Sequence, residues 1–191
     1  MQPLRLILFI TLLWWPAVET MAQTKFEQEQ RIKVSEVPAP ASDFIAQCPI
    51  TKGIKWYREN SNQGLSFEAK FKLRGLKYSV EFSADGALQD IEIKIPFNSL
   101  DKDIQSTLNQ ELNNTFLRHR IQKTQIQHQG SSDLLLKLMQ GESVETSVAY
   151  ELIVKGRQKQ NSHYYEVLAD ARGNIIKQLQ IELRPADNLD F

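Results

Sequence analysis

Few residues of this chain have the types and the spacing that catalysis requires. The three histidines, His119, His128 and His163, lie far apart in the sequence, and none has a second ligand at the spacing of a metal site. The single cysteine, Cys48, has no histidine or acid beside it that would stabilise a thiolate. Motifs for a nucleophilic serine, for phosphate binding and for dinucleotide binding are missing. The sequence therefore predicts a protein that is not an enzyme and that binds no metal or cofactor.

Charged residues form a pattern of another kind, across three predicted β-strands. Residues 65–73, 76–82 and 91–95 alternate between apolar and polar side chains, and Arg74-Gly75 and Asp85-Gly86 have the composition of two-residue turns. With turns at these two points, each apolar side chain lies opposite another apolar side chain on the next strand. The pattern predicts a three-stranded antiparallel meander.

On the polar face of this meander, the register places the charged residues in three cross-strand rows. The first row contains only lysines, the second is mixed and the third contains only acids: Lys72, Lys77 and Lys94; Lys70, Ser79 and Glu92; and Glu68, Glu81 and Asp90. Like charges directly opposite each other destabilise a sheet. The segregation of charge therefore indicates that this face has a role beyond folding.

The second half of the chain repeats the strand pattern but not the polar face. Residues 148–155 and 163–183 match the meander, and residues 120–130 take the place that residues 53–59 have beside the first one. The repeat puts apolar groups at positions that are mostly polar in the first half, namely Ile153, Tyr164, Leu168 and Ile176. A face that is charged in one half and apolar in the other is typical of a surface that binds a protein or a peptide.

Two other interpretations of this face stay open. It could be an ordinary solvated sheet face, because single exposed apolar residues need no explanation. It could also be covered by residues 131–143, SSDLLLKLMQGES, which interrupt the strands of the second half. That segment fits equally well a short helix packed on the core and a flap over the polar face.

A predicted helix precedes each set of four strands. The first, within residues 35–47, is short and ends just before Cys48, which we expect to be a small buried hydrophobic residue. The second, within residues 98–119, has an apolar residue at every fourth position from Leu100 to Phe116. One such unit has an apolar face but too small a core of its own.

We therefore predict an α+β fold made of two tandem units, residues 24–95 and 96–184. Each unit contributes a helix and four antiparallel strands, and together they form one continuous sheet of about eight strands with the helices on one face. Residues 185–191 form a C-terminal tail.

The N-terminus predicts export. Arg5 is followed by the ten apolar residues 6–15, and the small-residue sequence ending at Ala22 is a cleavage site, so residues 1–22 have the features of a signal peptide. The apolar run is too short to cross a bilayer, so no membrane insertion is expected after cleavage. The chain has 23 basic and 23 acidic residues, and a neutral protein has no general attraction for nucleic acid.

The sequence resembles the PepSY-like, β-lactamase-inhibitor-like family of secreted bacterial proteins. The resemblance is carried by the tandem helix-plus-four-strand plan, by SEVP at residues 35–38, by KYSVEFSADGALQDIEI at 77–93 and by LRPADNLDF at 183–191, and it covers essentially the whole mature chain. It implies a periplasmic protein whose open sheet face docks a partner. No residue of an inhibitory loop can be transferred, because no matching motif occurs.

The function predicted from the sequence is thus that of a non-enzymatic periplasmic protein-binding module, with inhibition of a secreted enzyme as one form of binding. The face that we expect to bind contains the charged rows and the four apolar residues of the second half. One alternative is a structural or envelope accessory protein without a dedicated ligand. Another is a carrier of a small ligand or lipid, which would need an enclosed apolar cavity.

Overall fold

The computed structural model describes residues 24–25, 27–62 and 64–182. The predicted signal peptide, residues 1–22, and the predicted tail, residues 185–191, lie outside the described residues, as does the closing LRPADNLDF motif. Within the described part of the chain, no helix has the length and the apolar character that crossing a membrane requires.

The described elements alternate between helices and sets of strands. In chain order they are β1 (Thr24–Lys25), β2 (Glu27–Ile32), α1 (Ala39–Gln47), β3 (Lys55–Ser61), β4 (Gly64–Leu73), β5 (Leu76–Ser83), β6 (Leu88–Lys94), α2 (Lys102–Thr115), β7 (Arg118–Gln129), α3 (Ser132–Gln140), β8 (Ser147–Arg157), β9 (Ser162–Ala169) and β10 (Ile175–Ile181). Single-turn 3-10 helices precede α1 and α2.

The fold is α+β, and its main feature is one antiparallel sheet of nine strands, β2 to β10, in which strands that follow each other in sequence are also neighbours in space. This sheet has one strand more than expected. The additional strand, β2, has the sequence EQEQRI, which lacks the alternation of apolar residues that identifies a strand. It forms because its backbone pairs with β3 along its whole length, from Glu27 opposite Ser61 to Ile32 opposite Trp56.

The predicted register of the first meander is confirmed. Phe71 lies opposite Tyr78, Ala69 lies opposite Val80, and the apolar side chains of β4 and β5 lie on one face of the sheet. A β-bulge next to Phe82 is the one departure, and it places Leu88 opposite Phe82 on the apolar face. Strict alternation back from Ile91 would put Leu88 on the polar face, and the bulge reverses this because it adds a residue to one strand.

A second β-bulge changes the face of the sheet on which the side chains of β10 lie. The register of β9 with β10 shifts between Ile175 and Lys177, so that Leu179 lies opposite Glu166. In the sequence repeat, residues 179–183 correspond to residues 91–95, which predicts that Leu179 lies on the helix side opposite Tyr165. The structure corrects this position: Leu179 is buried on the other face of the sheet.

The three helices pack against the apolar face of the sheet. Ala41 and Phe44 of α1 and Leu135 and Met139 of α3 join the apolar residues of β3 to β6 in one cluster. Leu108 and other apolar residues of α2 pack on β8 and β9 in a second cluster. The segment 131–143 therefore contains a helix on the core, and α3 is not a flap over the polar face.

The N-terminal segment brings the two edges of the sheet together. Thr24 and Lys25 pair in parallel with Gln180 and Ile181 of β10 at one edge, whereas Glu27, two residues after Lys25, begins the pairing with β3 at the other. Both edges must then lie close to this segment, because two residues of extended chain span only about 7 Å. The sheet is therefore strongly curled, with the helices outside and the polar face turned inward.

Cys48 lies at the end of α1 with only 7 % of its surface exposed. Burial raises the pKa of its thiol from 9.0 to about 11, which lowers the thiolate fraction near neutral pH about a hundredfold. We expect Ellman's reagent to react with Cys48 only after denaturation of the protein. Rapid stoichiometric labelling under native conditions would contradict the burial of this helix end.

Candidate functional site

The three charged rows form as the sequence predicts. Lys72, Lys77 and Lys94 face one another across β4, β5 and β6, and the mixed and acidic rows follow with the same spacing. These rows lie on the face of the sheet that is turned away from the three helices.

The exposure of this face differs from the expectation of an open docking surface. Glu68, Asp90 and Glu92 have 4 %, 5 % and 3 % of their surface exposed, respectively. Lys70 and Ser79 are also buried, whereas Lys72 at the end of β4 is exposed. The curl of the sheet is the physical reason, because it turns this face toward other strands of the same sheet rather than toward solvent.

Lys70 is at the centre of the best-defined polar contact on the inner face. Its Nζ lies 2.7 Å from Oε1 of Glu29 and 2.8 Å from Oε2 of Glu68. Ser79 donates a hydrogen bond to Oε1 of Glu68, and the ammonium of Lys70 lies 4.9 Å from the ring centre of Tyr57. One buried cation thus holds together strands β2 and β4.

The charges of this contact stabilise each other. Burial alone would raise the pKa of the Glu68 carboxyl, but Lys70 and the hydrogen bonds to Glu59, Lys70 and Ser79 outweigh burial and lower it. Burial alone would likewise lower the pKa of the Lys70 ammonium, but Glu68 and Glu29 raise it well above its usual range. Both groups are therefore charged through the neutral pH range.

Three further acidic residues lie close together on the same face. One carboxylate oxygen each from Glu81, Asp90 and Glu92 lies within 4.8 Å of the others. Gln125 of β7 donates from Nε2 to Oε2 of Glu92 at 2.7 Å, and Gln127 donates from Nε2 to Oδ2 of Asp90 at 3.2 Å. Burial, followed by the charge of Glu151 and then that of Glu81, raises the pKa of Glu92 well above its usual value of 4.5.

The four apolar residues predicted for binding do not form one exposed patch. Ile153 is buried, and Tyr164 and Leu168 are partly buried on the inner face. The ring centre of Tyr164 lies 5.6 Å from Nζ of Lys155. Only Ile176, next to the bulge of β10, is largely exposed, at 61 %.

An open groove lies where the two halves of the chain meet. The pairing of β6 with β7 ends at Lys94 opposite Gln125, followed by one backbone hydrogen bond from Ile95 N–H to the carbonyl of Thr124. Among the described strands, the first part of β7 pairs only with β8. The gap beside this part of β7 forms a groove of about 600 Å³. Its apolar lining residues are Leu76, Ile95, Pro96, Phe97 and Ile121.

Basic side chains line the groove. Lys77, Lys94, Arg120 and Lys123 line it, and none of the described residues in its lining is acidic. His119 also lines the groove, but burial lowers the pKa of its imidazole, which is therefore mainly uncharged near neutral pH. Two of the residues predicted to bind a partner, Lys77 and Lys94, line this groove. The row of three lysines was therefore the feature of the sequence that indicated the groove.

The sequence interpretation missed the other cations of the groove. Arg120 and Lys123 lie on β7, which was predicted as a polar strand of the second half without a role of its own. Their proximity to Lys77 and Lys94 depends on which strand lies beside β6, and alternation within one strand carries no information about that neighbour.

The comparisons with known proteins yield a structural similarity. No family model and no curated protein matches the chain. Among solved structures, the chain is similar to the crystal structure of a DUF2874 family protein from Bacteroides ovatus, with a TM-score of 0.51 and 12 % sequence identity over 75 % of this chain and 87 % of that one. At this level of identity the similarity supports the fold and carries no information about function.

Proposed function

We propose that this protein is a non-catalytic binding module of the periplasm, and that it binds an acidic, partly apolar segment of a partner protein in the groove between its two halves. The observation that carries the proposal is the combination of an apolar floor with four basic side chains, Lys77, Lys94, Arg120 and Lys123, in a chain of zero net charge. The periplasmic location rests on the signal-peptide features of residues 1–22.

The proposed docking surface is a groove at one end of the sheet, whereas the sequence analysis predicted binding by the whole polar face. Burial of Glu68, Asp90 and Glu92 leaves little of the polar face accessible to a partner, whereas the groove is open and lies at the lysine end of the same rows. Acidic side chains of a partner would meet the basic rim, and its apolar side chains would displace water from Ile95, Phe97 and Ile121. Such complementarity of charge increases both specificity and the rate of association.

The proposal includes a duplicated plan. Helix α1 precedes strands β3 to β6, and α2 precedes strands β7 to β10, with α3 inserted after β7. We propose that these are the two tandem units inferred from the sequence repeat. The groove would then be the seam between the units, which is a common location for binding sites.

A peptide-binding experiment tests the groove. A fluorescein-labelled peptide of about 12 residues that alternates Asp or Glu with Leu or Phe should bind the mature protein, whereas the same peptide with Lys in place of its acids should not. Arg120→Glu reverses an exposed charge of the groove, so it should weaken binding at least about tenfold. Fluorescence anisotropy at several salt concentrations measures both the affinity and its electrostatic component.

Arg118→Glu is the matched control. Arg118 lies two residues from Arg120 on the same strand and is also exposed, but it is not among the residues that line the groove. Equal effects of the two variants, or equal binding of the acidic and the lysine peptides, would show that the protein responds only to overall charge. Either result would contradict the proposed site.

A further inference from the structure

Part of strand β7 is an edge within the sheet. Residues 118–123 pair with β8 along one side, and no other described strand pairs with them along the other. The last backbone contact with the chain that follows β6 is the hydrogen bond from Ile95 N–H to the carbonyl of Thr124, at 3.0 Å. A strand edge of this kind presents a row of backbone N–H and C=O groups to any chain that lies beside it.

Pro96 explains why β6 does not cover this edge. It follows Ile95 directly, and proline has no N–H with which to continue the pairing of two strands. The chain turns instead into the single-turn helix Phe97–Ser99 and then into α2 on the helix side of the sheet. The space that a longer β6 would fill is the groove, since Ile95, Pro96 and residues 119–124 all line it.

The two faces of this edge differ in chemistry. Ile121 packs against the apolar cluster beneath α2, whereas its neighbour Arg120 lies on the other face and is exposed. The bulge between Ile121 and Lys123 adds one residue, so Lys123, which lies opposite Ile153, is on the same face as Arg120. A strand added beside residues 119–123 would therefore have side chains that alternate between basic and apolar surroundings.

The basic side chains also determine which kind of strand fits. If the same edges of two copies of this chain paired, Arg120 and Lys123 of one copy would lie close to those of the other. Like charges opposite each other destabilise a sheet, so this edge is protected against pairing with itself. An extended segment with acidic side chains would instead form favourable cross-strand pairs.

We propose that the partner segment binds by β-strand addition, as an extended chain that pairs with residues 119–123 of β7 in the place that β6 leaves open. This inference rests on the proposed function, because it states how the acidic, partly apolar segment is held in the groove. Acidic side chains of the segment face Arg120 and Lys123. Its apolar side chains face Ile121 and Phe97. Backbone hydrogen bonds then supply affinity, and the alternating side chains supply specificity.

N-methylated peptides test the backbone pairing. The probe is the labelled peptide that alternates acidic with apolar residues, compared with one form N-methylated at two central acidic residues and another N-methylated at two central apolar residues. In a paired strand the N–H groups of alternate residues point toward the neighbouring strand. One methylated form should therefore bind at least about tenfold more weakly, while the other stays within about threefold of the unmodified peptide.

Amide hydrogen exchange of the protein, measured by NMR, gives a second readout. Saturation with the unmodified peptide should slow exchange at those amides of residues 119–123 that do not donate to β8, by about tenfold or more. The amides of β7 that already donate to β8 are the internal control, and their exchange should change little.

The outcomes separate this inference from the proposed function. Weaker binding of only one methylated form, together with slower exchange on β7, supports strand addition. If the unmodified peptide binds but the two methylated forms bind equally, side chains alone hold the segment, so strand addition is wrong and the proposed function stands. If the unmodified peptide does not bind, the proposed function fails, and this inference fails with it.

Discussion

Replacing Lys70 by methionine is expected to lower the free energy of unfolding by about 3–5 kcal/mol. Methionine fills much of the same volume but removes the ammonium that lies 2.7 Å from Glu29 and 2.8 Å from Glu68. The side chain of Glu68 has only 6 % of its surface exposed, and that of Glu29 has 13 %. Two carboxylates would remain on the inner face without their cation, and urea denaturation of both proteins measures the loss.

Lys72→Met is the control for this prediction. Lys72 lies two residues further along the same strand and face but is exposed, so its replacement should change the free energy of unfolding by less than about 0.5 kcal/mol. Similar losses in the two variants would show that Lys70 is not a buried ion-pair partner.

The loss in Lys70→Met should also depend on pH. The pKa of Glu68 is lowered in the folded protein, so its ionised form contributes stability above the ordinary pKa of a glutamate. That contribution disappears as the pH falls through the lowered pKa, because a protonated Glu68 no longer needs Lys70. The difference between wild type and variant should therefore be large at neutral pH and shrink on acidification.

The register of the first meander was predictable because two kinds of signal agree. Arg74-Gly75 and Asp85-Gly86 specify where the chain turns, and alternation specifies which side chains share a face. A slip of one residue would have moved Phe71 and Val80, both of which are fully buried in the apolar cluster, to the polar face of the sheet. The three charged rows follow directly from this register, so the residues that make up each row could be predicted from the sequence.

The curl of the sheet was not predictable from the same signals. Alternation shows that Glu68 and Glu92 share a face, but these residues would have the same spacing on a flat, solvated sheet. The curl depends on pairing between the N-terminal segment and both edges of the sheet, and strand β2 has the polar sequence EQEQRI. Contacts between elements distant in sequence therefore decided whether the charged face was exposed.

The candidate sites depend on these distant contacts to different degrees. Lys77 and Lys94 of the groove could be predicted as members of one row, but Arg120 and Lys123 join them only because β7 lies beside β6 and extends beyond its end. Gln125 likewise reaches Glu92 across the boundary between the two halves. Bulges also limit what alternation can predict. The insertion of one residue near Ile175 places Leu179 on the inner face of the sheet.

Gly156→Ala is expected to destabilise the protein by about 3 kcal/mol, because this glycine is where strand β8 meets the ring of Phe116. A Cβ at Gly156 would lie 2.4 Å from Cδ1 and 2.5 Å from Cε1 of Phe116. The ring has little room to move, since Phe116 is 3 % exposed and its centre lies 4.9 Å from that of Tyr165. Either the end of α2 or strand β8 must shift to accommodate the methyl group.

Gly130→Ala and a double variant show whether this contact is the cause. At Gly130 the nearest atoms to an added Cβ belong to Leu134 and lie 3.8 Å away, an ordinary contact, so this substitution should change stability by less than about 0.5 kcal/mol. Phe116→Leu removes the ring that the new methyl group would meet, although it has a cost of its own. If the clash is real, adding Gly156→Ala to Phe116→Leu should cost much less than adding it to the wild type, and double-mutant analysis of urea unfolding measures that coupling. Additive losses would mean instead that Gly156 is required for its backbone, and that α2 does not dock on β8 through Phe116.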